Sequence, residues 1–251
     1  MTHPTFSLSR RSALGLAMAA LPAGLKAGQP RLRALAFDGF TIFDVRAVTA
    51  AAVALFPAQG AALAAQWTAK IFALSWLETA AGRYSGFAAL TNAALVFCAA
   101  NLGLSLSEAQ RRELILVFAH LPAWPDAGER LEKMRQAGLR LTFLSNLSEA
   151  MLEGAMRANG LHGLMEPPLS TDRVRAFKPA PQAYAMACEH FAMPREAIGF
   201  VAFGGWDALG AKWFGYRTAW INRLGVAAEP LMPPADATGP DLGVAMRLAG
   251  I

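Results

Sequence analysis

Residues 32–44 read LRALAFDGFTIFD. The first half, Leu32–Phe37, is short and apolar and predicts a buried strand; Asp38 ends it at a turn. A carboxylate at the end of a buried strand costs free energy unless it is paired or put to use. The next 75 or so residues set the architecture. From about Val45 to His120 the chain turns to Ala-rich runs with helical spacing, such as Ala61–Ala81 and Leu90–Leu102, the second followed by Gly103 as at a helix C-terminus. Beyond that block, strands and helices alternate. Leu139–Ser145 (LRLTFLS) reads as a strand, Ser148–Asn159 as a helix stopped by Gly160, and Met165–Ser170 as a short strand. Pro181–Phe191 is a helix with proline at its start, Ile198–Phe203 (IGFVAF) a strand, Trp206–Phe214 a helix stopped by Gly215, and Arg217–Ile221 a strand. Repeated strand–helix units imply an α/β fold with a parallel sheet covered on both faces. The chain divides into a core at 28–46 and 116–251 and a helical cap at 47–115. A cap inserted after the first strand lies over the sheet's carboxyl edge, where open α/β sheets bind ligands. Residues 227–240, rich in Pro, Ala and Gly, read as a surface loop.

Apolar residues make up 55% of the 251-residue chain, enough for a sizeable core. The net charge of +5 is inflated by the N-terminus. Arg10, Arg11 and Lys26 supply three of the 23 basic residues, and no acid lies before residue 28, which leaves 20 basic against 18 acidic residues. That balance, without a basic stripe, gives no signature of nucleic-acid binding. Residues 1–27 read as an address. Arg10-Arg11 precede an apolar run, Ala13–Leu21, too short for the roughly 20 residues that span a bilayer, and Leu25-Lys26-Ala27 ends in the small residue a signal peptidase prefers. The segment resembles a twin-arginine export signal and implies the export machinery as a partner, a periplasmic location and no stable membrane anchor. Cys98 and Cys188 read as free buried thiols. His3, His120, His162 and His190 do not cluster, so no zinc site is read.

In a parallel sheet the carboxyl ends of the strands lie side by side. Asp38, with Thr41 in the next turn, Ser145-Asn146, Lys178 just before a helix, and Asp207 after the IGFVAF strand would meet in one cleft. Such a set suits covalent catalysis by a carboxylate. Asp38 is the candidate nucleophile, and Lys178 its partner, since an opposite charge within about 4–6 Å favours the ionised carboxylate. Ser145, Asn146 and Thr41 are candidate hydrogen-bond donors to substrate or to Asp38, and Asp207 positions Lys178 or a water. Taken singly, each has a plainer reading: a turn residue, a helix cap, a solvated lysine, an acid at a helix N-terminus. Their joint placement at strand ends favours the catalytic one.

With these residues in place, the sequence resembles the haloacid dehalogenase superfamily, and within it the type II (S)-2-haloacid dehalogenases. The likeness runs from about Leu32 to Leu224. It is carried by FD…T.FDV at 37–45, LSNLS at 144–148, KPAPQAY at 178–184 and WDALGAKWFGYRTAWINR at 206–223. The resemblance implies a Rossmann-like core with a helical cap, and hydrolytic dehalogenation of short 2-haloacids with neither metal nor cofactor. It also implies a homodimer through the cap. By the same resemblance Asp38 attacks C2 and water opens the resulting ester. Ser145 and Thr41 match hydroxyls at the substrate carboxylate and nucleophile; Asn146 and Trp206 match parts of a halide cradle; Lys178, Tyr184 and Asp207 match the supporting shell. Phosphatases of the superfamily carry a second Asp two residues after the nucleophile. Here that position is Phe40, read as an apolar neighbour to the substrate.

Three departures stand out. Only Gly39 and Phe40 separate Asp38 from Thr41, where the pattern has three residues. Thr68 stands where the family places a halide-binding arginine, with Arg83 the nearest candidate substitute. Ala202, Phe203 and Gly204 replace polar residues that position the hydrolytic water. These leave two competing readings: a phosphatase-like hydrolase of the superfamily, and a periplasmic carboxylic-acid binder that has lost turnover.

Overall fold

The computed structural model describes residues 30–251; the expected export signal lies outside the described residues. The first strand, β1, spans Ala34–Phe37, and a single helical turn, α1 (Gly39–Ile42), follows Asp38 directly. Four helices come next: α2 (Arg46–Leu55), α3 (Gly60–Ala80), α4 (Phe87–Asn101) and α5 (Glu108–Leu116). The core resumes with α6 (Ala127–Gln136), β2 (Arg140–Ser145), α7 (Glu149–Ala158), β3 (Leu169–Ser170), α8 (Pro181–Phe191), β4 (Ile198–Ala202), α9 (Gly205–Phe214), β5 (Arg217–Ile221), β6 (Ala237–Gly239) and α10 (Gly243–Ala249).

The six strands form one parallel sheet in the order β3-β2-β1-β4-β5-β6. β1 is central, and the chain direction across the sheet reverses between β1 and β4, where α/β sheets open a crevice. Alternation along β1 sends Leu35 and Phe37 to one apolar layer and Ala34 and Ala36 to the other. The small alanine side leaves room for the buried aromatic rings of Tyr184, Phe200 and Tyr216. Each large ring so buried contributes about 1.5–3 kcal/mol.

Two strand assignments read from sequence are corrected. Only Leu169–Ser170 of the expected 165–170 strand pairs, since Pro167 and Pro168 have no N–H to donate. The expected surface loop at 227–240 contains β6, which pairs with β5; it is anchored by Asp236, whose Oδ2 accepts the Thr218 N–H at 2.7 Å.

In the cap, α3 and α4 pack together through Trp67, whose Nε1–H donates to the Thr91 carbonyl at 2.8 Å. The far end of α3 grips the core. The Thr79 hydroxyl accepts the Phe177 N–H at 3.2 Å, the Tyr84 ring lies 4.5 Å from that of Phe177, and the Tyr84 hydroxyl donates to Asp172 at 2.5 Å. Cys98 and Cys188 are free thiols. Among the described residues no helix is long and apolar enough to cross a membrane.

Candidate active site

The site is built from three strand ends. Asp38 leaves β1 and caps α1, its Oδ2 accepting the Phe40 N–H at 3.1 Å. This local bond orients the carboxylate from within its own turn. Gly39 is required by close approach: a Cβ there would lie 2.9 Å from Leu147 Cδ1 and 3.1 Å from Ser145 Oγ. Ser145 ends β2, and its Oγ accepts the Leu147 N–H at 3.2 Å, which leaves the hydroxyl proton free to donate. Asn146 Oδ1 accepts the Lys178 backbone N–H at 2.9 Å, locking the lysine's segment against β2.

Lys178 Nζ bridges two carboxylates, at 2.7 Å from Asp38 Oδ1 and 2.6 Å from Asp207 Oδ2. The lysine is completely buried. Burial works against its charge, but Asp207 and Asp38, by charge and by hydrogen bond, more than reverse this and hold the ammonium above its ordinary pKa. Asp207 is buried as well, and burial lifts its pKa to about 6 against the opposing pull of Lys178, with the charge of Asp38 adding to the rise. Its Oδ1 accepts the Tyr184 hydroxyl at 2.7 Å. That bond depends on Gly210, where a Cβ would lie 2.5 Å from the Tyr184 hydroxyl and 2.7 Å from Pro179 Cβ.

Asp38 opens into a cavity of about 90 Å³ between core and cap. Asp207, Ser145, Asn146, Leu147 and Gly204 share its wall with five aromatic residues: Phe40, Phe72, Phe87, Phe203 and Trp206. Phe40 and Phe203 meet edge to face at 5.9 Å, and Trp206 contacts Phe72 and Trp76 of the cap at 5.2 and 5.4 Å between ring centroids. Asn146 Nδ2 is buried and has no hydrogen-bond partner among the described residues. A buried donor left open beside a cavity marks a place for an acceptor from outside the protein.

The geometry brings Asp38, Ser145, Asn146, Lys178, Asp207, Phe40 and Trp206 together. Two expected substrate or catalytic contacts, those of Thr41 and Thr68, are corrected, and Tyr184 takes a place behind the wall. Thr41 turns away: its hydroxyl donates to the Asp38 carbonyl at 2.6 Å, because α1 places it one turn above that oxygen. Thr68 does not line the cavity; its hydroxyl donates back to the Ala64 carbonyl at 2.9 Å, a common fate for threonine inside a helix. Tyr184 lies behind Asp207 and away from the cavity wall. Arg83 is exposed and likewise absent from the wall. The cap rings Phe72 and Phe87 and core Leu147 were not singled out from sequence. Phe72 sits one helical turn after Thr68, so the α3 face carrying Thr68 was the available signal.

Comparison with known proteins identifies the family. A family model described as haloacid dehalogenase-like hydrolase matches residues 30–215. Haloacetate dehalogenase H-2 of Moraxella sp. (strain B) is 33% identical over 222 residues, covering 88% of this chain and 99% of that protein. The crystal structure of an L-2-haloacid dehalogenase superposes with a TM-score of 0.86 at 38% identity, covering 88% of this chain and 100% of the other. The Xanthobacter autotrophicus L-2-haloacid dehalogenase with chloropropionic acid covalently bound gives 0.81 at 29% identity, over 87% of this chain and 98% of the other.

Proposed function

The chain belongs to the haloacid dehalogenase-like hydrolases, and we propose that within this family it hydrolyses short (S)-2-haloalkanoic acids to 2-hydroxy acids through an ester on Asp38. One observation carries the reading. Of the three charges in the triad, Asp38 is the most open: its side chain is 12% exposed, against 0% for Lys178 and 1% for Asp207. A carboxylate paired with a buried ammonium, with one edge facing an apolar chamber, is placed as a desolvated oxygen nucleophile. It attacks C2, the carbon–halogen electron pair leaves with the halide, and C2 inverts. Water then adds to the Asp38 carbonyl carbon and releases the 2-hydroxy acid. Asp207, ionised above about pH 6, is the acceptor for the water's proton.

The surroundings favour carbon–halogen over phosphate-ester chemistry. Phe40 fills the wall where a phosphatase needs a general acid. The ammonium of Lys178 occupies the space between the two carboxylates, where a magnesium ion would need oxygen ligands. The test is halide release from (S)- and (R)-2-chloropropionate with chelator present, for the native protein and Asp38→Asn. Chloride from the S form alone, lost in the variant, is the expected result. No chloride from either form by the folded protein would sink the proposal.

Location and assembly belong to the same proposal. The order of twin arginine, apolar run and small residue supports export of the folded chain to the periplasm; cell fractionation of an Arg10→Lys/Arg11→Lys variant, with loss of the periplasmic form expected, tests it. The exposed apolar side chains of the cap, among them Leu77 at 64% and Phe97 at 52%, support a homodimer through that surface. Light scattering on Leu77→Glu would show a monomer where the native chain is a dimer.

A further inference from the structure

We propose that the same cavity turns over neutral 2-haloamides, and prefers them to the isosteric 2-haloacids. The inference rests on the Asp38 displacement described above and concerns the group beside the reacting carbon. The observation is a charge count. Asp38 and Asp207 line the cavity, and Lys178, buried behind them, is shared between both. With all three ionised, the triad carries one net negative charge.

Among the described residues no other charged side chain lines the chamber. Three arginines beyond the wall have partners of their own. Arg223 pairs with Asp126 at 2.7 Å and donates to the Thr41 carbonyl, Arg46 pairs with Asp44, and Arg175 donates to the Tyr84 carbonyl at the surface. The open donors that face an incoming substrate are neutral: the Ser145 hydroxyl proton and Asn146 Nδ2. The remaining wall is five aromatic rings with Leu147 and Gly204.

A substrate carboxylate would add a second negative charge to a desolvated, net-negative chamber, where like charges are poorly screened. A primary amide has nearly the same shape and removes that charge. Its carbonyl oxygen accepts from Ser145 or Asn146 as a carboxylate oxygen would. Its N–H groups donate to carboxylate lone pairs on the cavity side, where a second carboxylate oxygen meets repulsion. The chemistry balances as it does for the acid. An Asp38 oxygen bonds to C2 of 2-chloroacetamide as the carbon–chlorine pair departs with chloride. Water then opens the ester to 2-hydroxyacetamide, restoring Asp38 and releasing one proton to solvent.

The experiment compares kcat/KM for 2-chloroacetamide and 2-chloroacetate, each normalised to its uncatalysed rate with acetate ion, on the native protein and on Thr68→Arg. Thr68 lies on the cap outside the wall, one turn from Phe72, so arginine there brings a cation to the chamber's cap side. The expected result is at least about a tenfold normalised preference for the amide, the effect of one unfavourable charge contact worth ~1.4 kcal/mol, and a fall in that preference in Thr68→Arg. Turnover of the acid alone, or a preference for the acid, overturns this inference and leaves the haloacid reading standing. Turnover of the amide alone upholds the inference and overturns the haloacid reading. Turnover of neither overturns both. Loss of both activities in Asp38→Asn is the check that one nucleophile serves both substrates.

Discussion

Removing the ammonium that joins Asp38 to Asp207 is the most demanding test of the triad. In Lys178→Met the volume and apolar stem are largely kept, but two carboxylates are left facing each other in a buried site. Breaking a buried ion pair by deleting one partner costs about 3–5 kcal/mol, because an uncompensated charge stays behind. For a chain of this size each kcal/mol lowers Tm by roughly 2–4 °C, so the expected fall is about 6–20 °C near neutral pH. The pH dependence has a definite sign. Asp207 is already raised to about 6 in the native site, so it binds its proton more tightly folded than unfolded, and its contribution to stability falls as pH rises from about 4 to about 6. Without Lys178 the folded value rises further and that fall continues above pH 6. The deficit of the variant is smallest at pH 5 and grows from pH 6 upward. Thermal melts of both proteins from pH 5 to 9 read this directly. Lys178→Met/Asp207→Asn removes one of the crowded charges and should recover part of the lost stability. A variant that melts within 2 °C of the native protein at every pH, or a double variant less stable than the single one, would refute the account of the triad.

The same geometry makes other outcomes expected. Tyr184→Phe leaves Asp207 Oδ1 without its donor, costs about 1–3 kcal/mol of stability, and moves the rising limb of the halide-release profile from near pH 6 to higher pH, since the lost bond favours the ionised form. Gly210→Ala presses a methyl group against the Tyr184 hydroxyl and Pro179; overpacking of about 1–3 kcal/mol and a lowered kcat, measured by denaturant unfolding and steady-state assay, are expected. Thr41→Val removes a buried hydroxyl bonded to the Asp38 carbonyl; it should lower stability by about 1 kcal/mol and leave KM unchanged, whereas a tenfold rise in KM would return Thr41 to the substrate.

Much of this site could be read from residue order because its parts fall where strands stop. LRALAFD, LRLTFLS-N and IGFVAF each announce a buried strand by a short, mostly apolar run, and a parallel sheet brings the ends of such strands together. What the sequence hid was direction. Thr41 and Thr68 are polar residues near the right place, yet α1 and α3 turn their hydroxyls onto backbone carbonyls. Phe72 and Phe87 read as ordinary cap residues, since an apolar side chain facing a cavity and one facing a core leave the same mark in sequence. β6 was concealed because only three residues of a proline-rich tail pair with β5. The role of Tyr84 and Thr79 in tying the cap to the segment before Lys178 depends on contacts across about 90 to 100 residues, which no local pattern encodes.

The partners in the triad are far apart along the chain: Asp38 and Lys178 are 140 positions from each other, Lys178 and Asp207 only 29. A ribosome delivers Asp38 early and Lys178 late. Until the second has emerged and the long intervening loop has closed, the first lacks the paired ammonium and the apolar chamber that make its carboxylate a nucleophile towards a haloacid. Reactivity is thus timed by synthesis, and arrives only with a chain complete enough to hydrolyse the ester it makes.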